Sequence, residues 1–285
     1  MLTSLRLISL TLLTLLAFAA NSVLCRLALD SENMDPMTFT ALRLISGGAV
    51  LALLSLFKKP ATLGSINSFG SLRGAIYLFV YALGFSYAYV SLPTATGALI
   101  LFAAVQFSML FLAWLGGRRM SRLETVGTLL SIGSFVYFVL PDLASPQALD
   151  LCVMALAGAA WGLYSRAGAS SVNALQDTAA NFLRCLPFAL ILLLIFGPGA
   201  EFNLAGIYYA LASGMLASGL GYALWYQVLP KLDNSVAAVC QLSVPVIAAF
   251  GGVLFVAEPL TPHLLICATG ILGGMLLVIL AKQRS

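Results

Sequence analysis

The sequence predicts an all-α integral membrane protein of about ten transmembrane helices with almost no soluble mass. Of its 285 residues, 61% are hydrophobic and only 8% are charged, and the mean hydropathy is +1.02. A soluble domain carries about 25% charged residues, so this composition excludes a soluble surface. The apolar residues form continuous rather than alternating runs, and each run is close to the ~20 residues with which a helix crosses a bilayer.

The predicted spans follow one another with short connections. A tight turn at Pro93 separates the third span from the fourth, and Pro230 to Asn234 separate the eighth from the ninth. The longest connection, about 58 to 72, is too short for a soluble domain. The predicted spans are 5–27, 36–57, 71–90, 93–116, 122–140, 148–166, 176–196, 203–227, 234–256 and 262–281.

The first span also resembles a signal peptide, because Arg6 precedes an apolar run that contains the small residues Ala17 to Ala20. The apolar run continues through Leu27, and nothing downstream looks like a secreted domain. We therefore favour an uncleaved first span.

The cysteines indicate neither disulfides nor a metal centre. They form no CxxC pair and have no His or carboxylate at metal-ligand spacing, so we interpret them as small core residues and predict no metal and no cofactor. They are Cys25, Cys152, Cys185, Cys240 and Cys267.

The basic residues predict the orientation, because Lys and Arg accumulate in cytoplasmic loops. With a cytoplasmic N-terminus, eleven basic residues lie inside and only Arg26 lies outside. Both termini are then cytoplasmic, a bacterial inner membrane is the expected location, and the net charge of +4 indicates orientation rather than nucleic-acid binding. The inside residues are Arg6, Lys58, Lys59, Arg73, Arg118, Arg119, Arg122, Arg166, Lys231, Lys282 and Arg284; the acids expected outside are Asp30, Glu32, Asp35, Asp142, Asp150, Glu201 and Glu258.

The two halves of the chain resemble each other. AANSVLCR at 19–26 matches AAWGLYSR at 159–166, an offset of 140 residues. Matches in the same order and at nearly the same offset indicate a duplicated unit of five spans, and an odd number of spans inverts the second copy. The further matched positions are Arg43 with Arg184, Pro93 with Pro230, Ser121 with Thr261, and Gly133 with Gly273.

These features resemble the drug/metabolite transporter superfamily in its EamA-like branch. The second half carries the better signature, QLSVPVIAAFGGVLFVAEPLT at 241–261, with Pro245 in the helix and Glu258 at its end. The first half lacks the helix proline and has Arg118 or Arg119 where the acid is expected. The resemblance implies two inverted five-helix repeats at 1–142 and 147–285, with a central cavity among spans one, three, four, six, eight and nine.

Polar residues within the predicted spans are the candidates for substrate binding, because such residues are costly in a membrane. Arg43 and Arg184 occupy matched places in the repeat, and Asn181 shares a helical face with Arg184. Each guanidinium could bind a substrate carboxylate or tie neighbouring helices together, and both interpretations stay open.

Aromatic and amide side chains are the other candidates. Trp161, Tyr222 and Trp225 could line a cavity or form an interfacial belt. An amide could bind substrate or join two helices. The candidates of this kind are Asn21, Tyr87, Gln106, Trp161, Tyr222, Trp225 and Gln241.

The predicted function is transport by alternating access, most simply export of a small zwitterionic or anionic metabolite such as an amino acid. No Asp or Glu lies mid-span, no nucleotide-binding motif occurs and no catalytic set is present, so we expect neither an enzyme nor ATP drive. The expected partners are a small-molecule substrate and the lipid bilayer, and no binding of nucleic acid is expected. The sequence leaves open whether the protein forms a homodimer. The alternatives are a multidrug or lipophilic-cation exporter and a non-transporting sensor or assembly factor.

Overall fold

The computed structural model describes eight stretches of the chain, in which every element is helical and no strand occurs. These stretches are residues 4–29, 34–58, 69–117, 119–141, 147–168, 171–199, 203–232 and 234–283. The helices are α1 Ser4–Leu29, α2 Pro36–Lys58, α3 Leu72–Ala88, α4 Thr94–Leu115, α5 Arg122–Val139, α6 Ala148–Gly168, α7 Ala174–Phe196, α8 Leu204–Ala212, α9 Gly221–Val228, α10 Asn234–Leu242, α11 Val244–Val256 and α12 Pro262–Gln283.

Eight helical stretches of the described residues are long and apolar enough to cross a membrane. The prediction of a multi-pass helical membrane protein is therefore confirmed, whereas the count of ten spans stays a prediction. Leu72–Ala88 is apolar but shorter, and α5 falls outside the group. The eight are Leu5–Leu29, Pro36–Phe57, Thr94–Leu115, Ala148–Gly168, Ala174–Phe196, Leu204–Lys231, Val236–Val256 and Pro262–Ala281.

Two of these stretches contain local breaks in α-helical geometry. A π-helical segment, Ser213–Leu220, joins α8 to α9 within Leu204–Lys231. Helices α10 and α11 meet at Ser243, where Pro245 at the start of α11 has no N–H to donate to a preceding carbonyl. Beside this break, the Ser243 hydroxyl donates to the Cys240 carbonyl over 2.6 Å. Both breaks occur in segments that adjoin the central cavity described below.

The helices pack through close contacts at small residues. A Cβ at Gly158 of α6 would meet the carbonyl oxygen of Leu101 and lie 2.7 Å from the Cβ of Ala104, both in α4. Gly214 likewise places the π segment against α2. Such approaches are how membrane helices gain van der Waals contact without a hydrophobic driving force. The main pairings are α2 with α7, α5 with α12, α3 and α4 with α6, and α1 with α8, α9 and α11.

Some of the charged residues used to predict orientation have no described position. The cytoplasmic location of both termini stays a prediction. Cys25, Cys185 and Cys267 are buried, in agreement with core packing, whereas Cys240 is half-buried. Cys152 is exposed on the surface of α6, so its interpretation as a core residue is wrong. Outside the described residues lie Asp30, Glu32, Lys59, Arg118, Asp142, Glu201 and Arg284, together with the side chains of Lys58 and Lys282.

Candidate functional site

A small central cavity lies where α1, α3, α4, α6, the π segment, α9 and α10 converge. These elements correspond to predicted spans one, three, four, six, eight and nine. The cavity encloses about 30 Å³, which is room for a water molecule or two rather than a metabolite, so this conformation is closed around its centre. Its lining residues are Phe18, Asn21, Ser22, Tyr81, Phe85, Leu101, Phe102, Trp161, Ala217, Tyr222 and Gln241.

Three aromatic rings from three different helices form one wall of the cavity. Trp161 of α6 stacks on Tyr222 of α9 with ring centroids 5.3 Å apart and an interplanar angle of 22°. The Tyr81 ring of α3 lies 4.8 Å from Trp161 and 5.5 Å from Phe85. Tyr81 and Phe85 are four residues apart, so both project from one face of α3. The wall is therefore rigid, largely apolar and tipped with the tyrosine hydroxyls.

Arg43 of α2 lies directly behind this wall and is 2% exposed. Its Nη2 donates to the Tyr81 hydroxyl over 2.9 Å, and its Nε donates to Ser218 Oγ over 3.4 Å. The guanidinium carbon is 4.8 Å from the Phe85 ring centroid and 5.2 Å from that of Tyr81.

The charge of Arg43 is incompletely compensated. Its Nη1 has no hydrogen-bond partner, and among the described residues no carboxylate forms an ion pair with the guanidinium. Removing a guanidinium from water costs several kcal/mol, and the two ring contacts offset about 2 kcal/mol or more of that when desolvated. A positive charge is thus held one side chain away from the cavity, in surroundings that favour an anion nearby.

The π segment supplies two serines that connect α1 and α2 to this cluster. Ser213 Oγ donates to Asn21 Oδ1 over 2.5 Å, and Ser218 accepts from Arg43. Residues five apart point about 140° apart on an α-helix, whereas i→i+5 bonding brings them onto one face. Asn21 Nδ2 in turn donates to the Tyr81 hydroxyl over 3.3 Å. The local π geometry therefore allows one helix to hold both Asn21 and Arg43.

A larger cavity of about 150 Å³ opens at one end of the bundle, here called the Asp177 end. The start of α3, the end of α6, the start of α7 and the end of α9 surround it. Asp177 Oδ1 accepts from the Gly70 N–H over 2.7 Å, and Asn181 Oδ1 accepts from the Ser71 N–H over 2.8 Å. Arg184 Nη1 donates to the Phe69 carbonyl over 2.6 Å. These side chains of α7 fix the chain just before α3.

The opposite end, here called the Glu258 end, is closed by an ion pair between the two halves. Arg26 Nε lies 3.1 Å from Glu258 Oε1, and the side chains are only 18% and 15% exposed. Arg26 Nη1 also donates to the carbonyls of Tyr89 and Val90 over 3.1 and 2.9 Å, while Glu258 Oε2 accepts from the Thr94 N–H over 2.7 Å. Ala257, with φ of 57°, ends α11 in the left-handed conformation just before this carboxylate.

The predicted site residues separate into three groups in the structure. Four line the central cavity, Arg43 lies behind its wall, and five lie elsewhere. Among the described residues, no group of three or more His, Cys, Asp or Glu side chains could hold a metal ion. Asn21, Trp161, Tyr222 and Gln241 line the cavity; Asn181 and Arg184 lie at the Asp177 end, Trp225 packs on Phe18, Gln106 is half-buried outside both cavities, and Tyr87 is 37% exposed.

The sequence analysis missed Tyr81, which contacts more of the cluster than any predicted candidate. Its signal was present, because Tyr77, Tyr81, Phe85 and Tyr89 recur every four residues along α3 and its end. The analysis considered only Tyr87 on this helix, and Tyr87 projects from a different face. Arg26 and Glu258 were used for orientation and for family resemblance, and their pairing required the structure.

Comparison with known proteins identifies the family. The chain matches the EamA-like transporter family over residues 5–140 and again over 149–280. It is 47% identical over 275 residues to an uncharacterized protein of Pseudomonas aeruginosa, covering 96% of this chain and 94% of that one. It is 22% identical over 259 residues to the uncharacterized transporter YoaV of Bacillus subtilis, covering 86% and 87%.

A solved crystal structure shares the fold, with a TM-score of 0.69 and 20% identity over 97% of this chain and 99% of the other. The chain therefore belongs to the EamA-like transporter family, as its sequence resemblance predicted. Membership of this family supports a membrane transporter rather than an enzyme.

Proposed function

We propose that this protein exports a small zwitterionic or anionic metabolite, such as an amino acid, by alternating access. The observation that carries the proposal is the central cavity, whose wall presents Asn21 and Tyr81 with the buried charge of Arg43 directly behind them. A positive charge without a carboxylate partner favours an anion in the adjacent space. The remaining wall is apolar, as small-molecule sites commonly are.

The proposed architecture is ten spans in two inverted units of five, with both termini in the cytoplasm of a bacterial cell. Helix packing supports the symmetry. Matched helices pack on each other, α2 on α7 and α5 on α12, and the contact of α1 with α11 has its counterpart in that of α6 with α4. Under the orientation inferred from the basic residues, the Asp177 end faces the cytoplasm and the Glu258 end faces outward.

The proposed cycle begins from a state that resembles this structure. Substrate enters the cavity at the Asp177 end and passes the rings of Tyr164, Trp161 and Tyr222 to reach the centre. Rocking of one half against the other then separates Arg26 from Glu258 and opens the opposite end. Binding at a site between two repeats, with rigid-body motion around it, is the general arrangement of such carriers.

The rival substrate class is a lipophilic cation held against aromatic rings. The stacked pair Trp161 and Tyr222 favours it, because cations bind to such ring faces. Arg43 opposes it, because the guanidinium already lies over Tyr81 and Phe85 on the same wall. Like charges separated by one side chain repel each other more strongly in a low-dielectric interior than in water.

Counterflow in proteoliposomes tests the function directly. Vesicles that hold the purified protein and a mixed metabolite pool are diluted into the same pool carrying isotope labels, and mass spectrometry identifies the exchanged compounds. We expect exchange of amino acids or related carboxylates, absent from protein-free vesicles. Exchange of organic cations alone would favour the rival substrate class, and no exchange of any compound would indicate a non-transporting sensor or assembly factor.

A further inference from the structure

We propose that the hydroxyl of Tyr81, and not the guanidinium of Arg43, binds the anionic group of the substrate. Arg43 is then a positioning residue that acts through Tyr81. The substrate class is a carboxylate that carries an apolar or aromatic side chain. This inference rests on the proposed transport function and assigns the substrate-binding group within it.

The hydrogen bonds that Tyr81 accepts leave its O–H hydrogen available to donate to a substrate. Its phenolic oxygen accepts from Arg43 Nη2 over 2.9 Å and from Asn21 Nδ2 over 3.3 Å. A hydroxyl has two acceptor lone pairs, so these donors occupy both, and the O–H hydrogen must be directed elsewhere. Among the described residues no acceptor receives it, although the side chain is only 5% exposed and lines the cavity.

Arg43 makes that O–H an unusually strong donor. A cationic donor on the phenolic oxygen draws electron density from it, and hydrogen bonds in a chain strengthen one another. An O–H that donates to a carboxylate is already among the stronger hydrogen bonds in proteins. The arginine therefore contributes its charge to the substrate through the tyrosine, without leaving its buried position.

Asn21 supplies a second donor on the same side of the cavity. Its Oδ1 accepts from Ser213, which fixes the amide so that its Nδ2 faces Tyr81. The second hydrogen of that amide remains for another acceptor. Two adjacent donors at this point match the two oxygens of a carboxylate.

Direct binding by Arg43 does not agree with the geometry. The guanidinium is enclosed by the rings of Tyr81 and Phe85 and does not line the cavity. A carboxylate could reach it only if one of those rings moved aside. The rest of the cavity wall includes Phe18, Leu101 and Phe102, which would contact an apolar substrate side chain.

The test compares Tyr81→Phe, Arg43→Gln and the double variant in proteoliposomes, with phenylalanine and phenethylamine as probes. The two probes differ in the carboxylate. We expect Tyr81→Phe to raise the KM for phenylalanine at least tenfold and to leave phenethylamine transport unchanged or improved. Because Arg43 acts through Tyr81, the double variant should be no worse than the more impaired single variant. Tyr208→Phe, which removes the same hydroxyl from a side chain 61% exposed, is the matched control.

Asn21→Asp is a second variant, with which the inference can still be tested if Tyr81→Phe folds poorly. It preserves side-chain size and places a carboxylate beside the Tyr81 hydroxyl, so phenylalanine transport should fall at least tenfold. Unaltered elution in gel filtration and an unaltered Tm establish that each variant is folded.

Three results would overturn the inference. The first is loss of phenylalanine transport in Arg43→Gln with none in Tyr81→Phe, the second is additive loss in the double variant, and the third is failure of the wild type to transport phenylalanine. In the third case, counterflow of another carboxylate by the wild type leaves the proposed function standing. Absence of counterflow for every compound would contradict both the proposed function and the inference about Tyr81.

Discussion

The two ends of the bundle are held together by different interactions. At the Glu258 end, Arg26 of α1 pairs with Glu258, which follows α11. The positions 140 residues away from these two in the sequence are Arg166 and Arg118, so the proposed repeat matches an oppositely charged pair in one place with two like charges in the other. Arg118 lies outside the described residues, and Arg166 and the neighbouring Arg119 are both exposed.

Under the proposed alternating-access mechanism, we expect this difference to favour one conformation. The Glu258 end is closed by a charged network that joins α1, the α3–α4 turn and the end of α11, and the Asp177 end retains an open cavity. Each hydrogen bond to a charged group contributes about 1.5–3 kcal/mol net. Under the proposed orientation, the resting state would be closed on the outer side, with the cavity at the Asp177 end open to the cytoplasm.

Breaking the ion pair should have the largest effect. Glu258→Ala removes the partner of Arg26 and the acceptor of the Thr94 N–H, at a cost to the closed end of about 3 kcal/mol, or roughly 100-fold in the opening equilibrium. A membrane-impermeant maleimide reports this in intact cells, through a single cysteine at Ser22 in a cysteine-free background. Ser22 lines the central cavity and is 1% exposed. We expect labelling to rise by about that factor.

The control for this experiment uses the other partner. Arg26→Ala should also raise labelling, because it removes the ion pair together with the hydrogen bonds to the Tyr89 and Val90 carbonyls. The double variant should raise labelling by less than the two single effects combined, because the ion pair is shared between them. Equal labelling of the wild type and Glu258→Ala would contradict a closing role for the pair.

The two matched helix crossings, α4 with α6 and α1 with α11, also differ in how closely they pack. Substituting a glycine at each crossing should have an effect of intermediate size. A Cβ at Gly158 of α6 would meet backbone of α4 at Leu101, whereas one at Gly251 of α11 would lie 2.6 Å from the side-chain Cγ2 of Val23. The backbone of α4 cannot move aside as easily as a side-chain methyl group can. Gly158→Ala should therefore destabilise by about 1–3 kcal/mol and lower the Tm by several degrees.

Gly251→Ala is the comparison for that measurement, because its new contact is with a side-chain methyl group rather than with backbone. We expect a change in Tm of about 2 °C or less, within the range for a minor repacking. Nano differential scanning fluorimetry on both purified variants in the same detergent gives the two Tm values. An equal loss of stability in the two variants would show that the crossings are equally rigid.

The fold could be predicted largely because membrane composition leaves few structures available. Continuous apolar runs predicted helices, and the segment around Pro245 and Glu258 indicated the family. The number of spans is less certain from length and hydropathy, since α3 is only 17 residues long and α5 begins with Arg122 and Glu124. Those two helices owe their position to packing against α6 and α12.

The site was less predictable, because it depends on which face of each helix turns inward. Arg43 was identified as unusual from its position alone, but its contact with Tyr81 depends on how α2 packs against α3. Ser213 and Ser218 are five residues apart and would share a face only in a π segment, which the hydrophobic pattern of the sequence does not indicate. Asn181 and Arg184 are polar in the same way, yet their partners are backbone groups before α3.

The smallest expected effect comes from giving the Asp177 end the kind of ion pair that the Glu258 end has. Arg119→Glu places an acid four residues after the end of α4, and α4 packs against α6, which carries Arg166 in its last turn. Both positions are exposed, so the pair should be worth about 0.5–1 kcal/mol, which slows access from that end by roughly threefold. Labelling of a cysteine at Thr178 in inside-out vesicles measures the access, because Thr178 lines the cavity at this end.

Arg119→Gln removes the same charge without adding an attraction, so any slowing beyond that control belongs to the new pair. Raising the salt concentration should abolish the difference between the two variants, since exposed charges are screened. If Arg119→Glu and Arg119→Gln label alike at low salt, the like charges at this end have no part in setting the preferred conformation, and the bias comes from the Glu258 end alone.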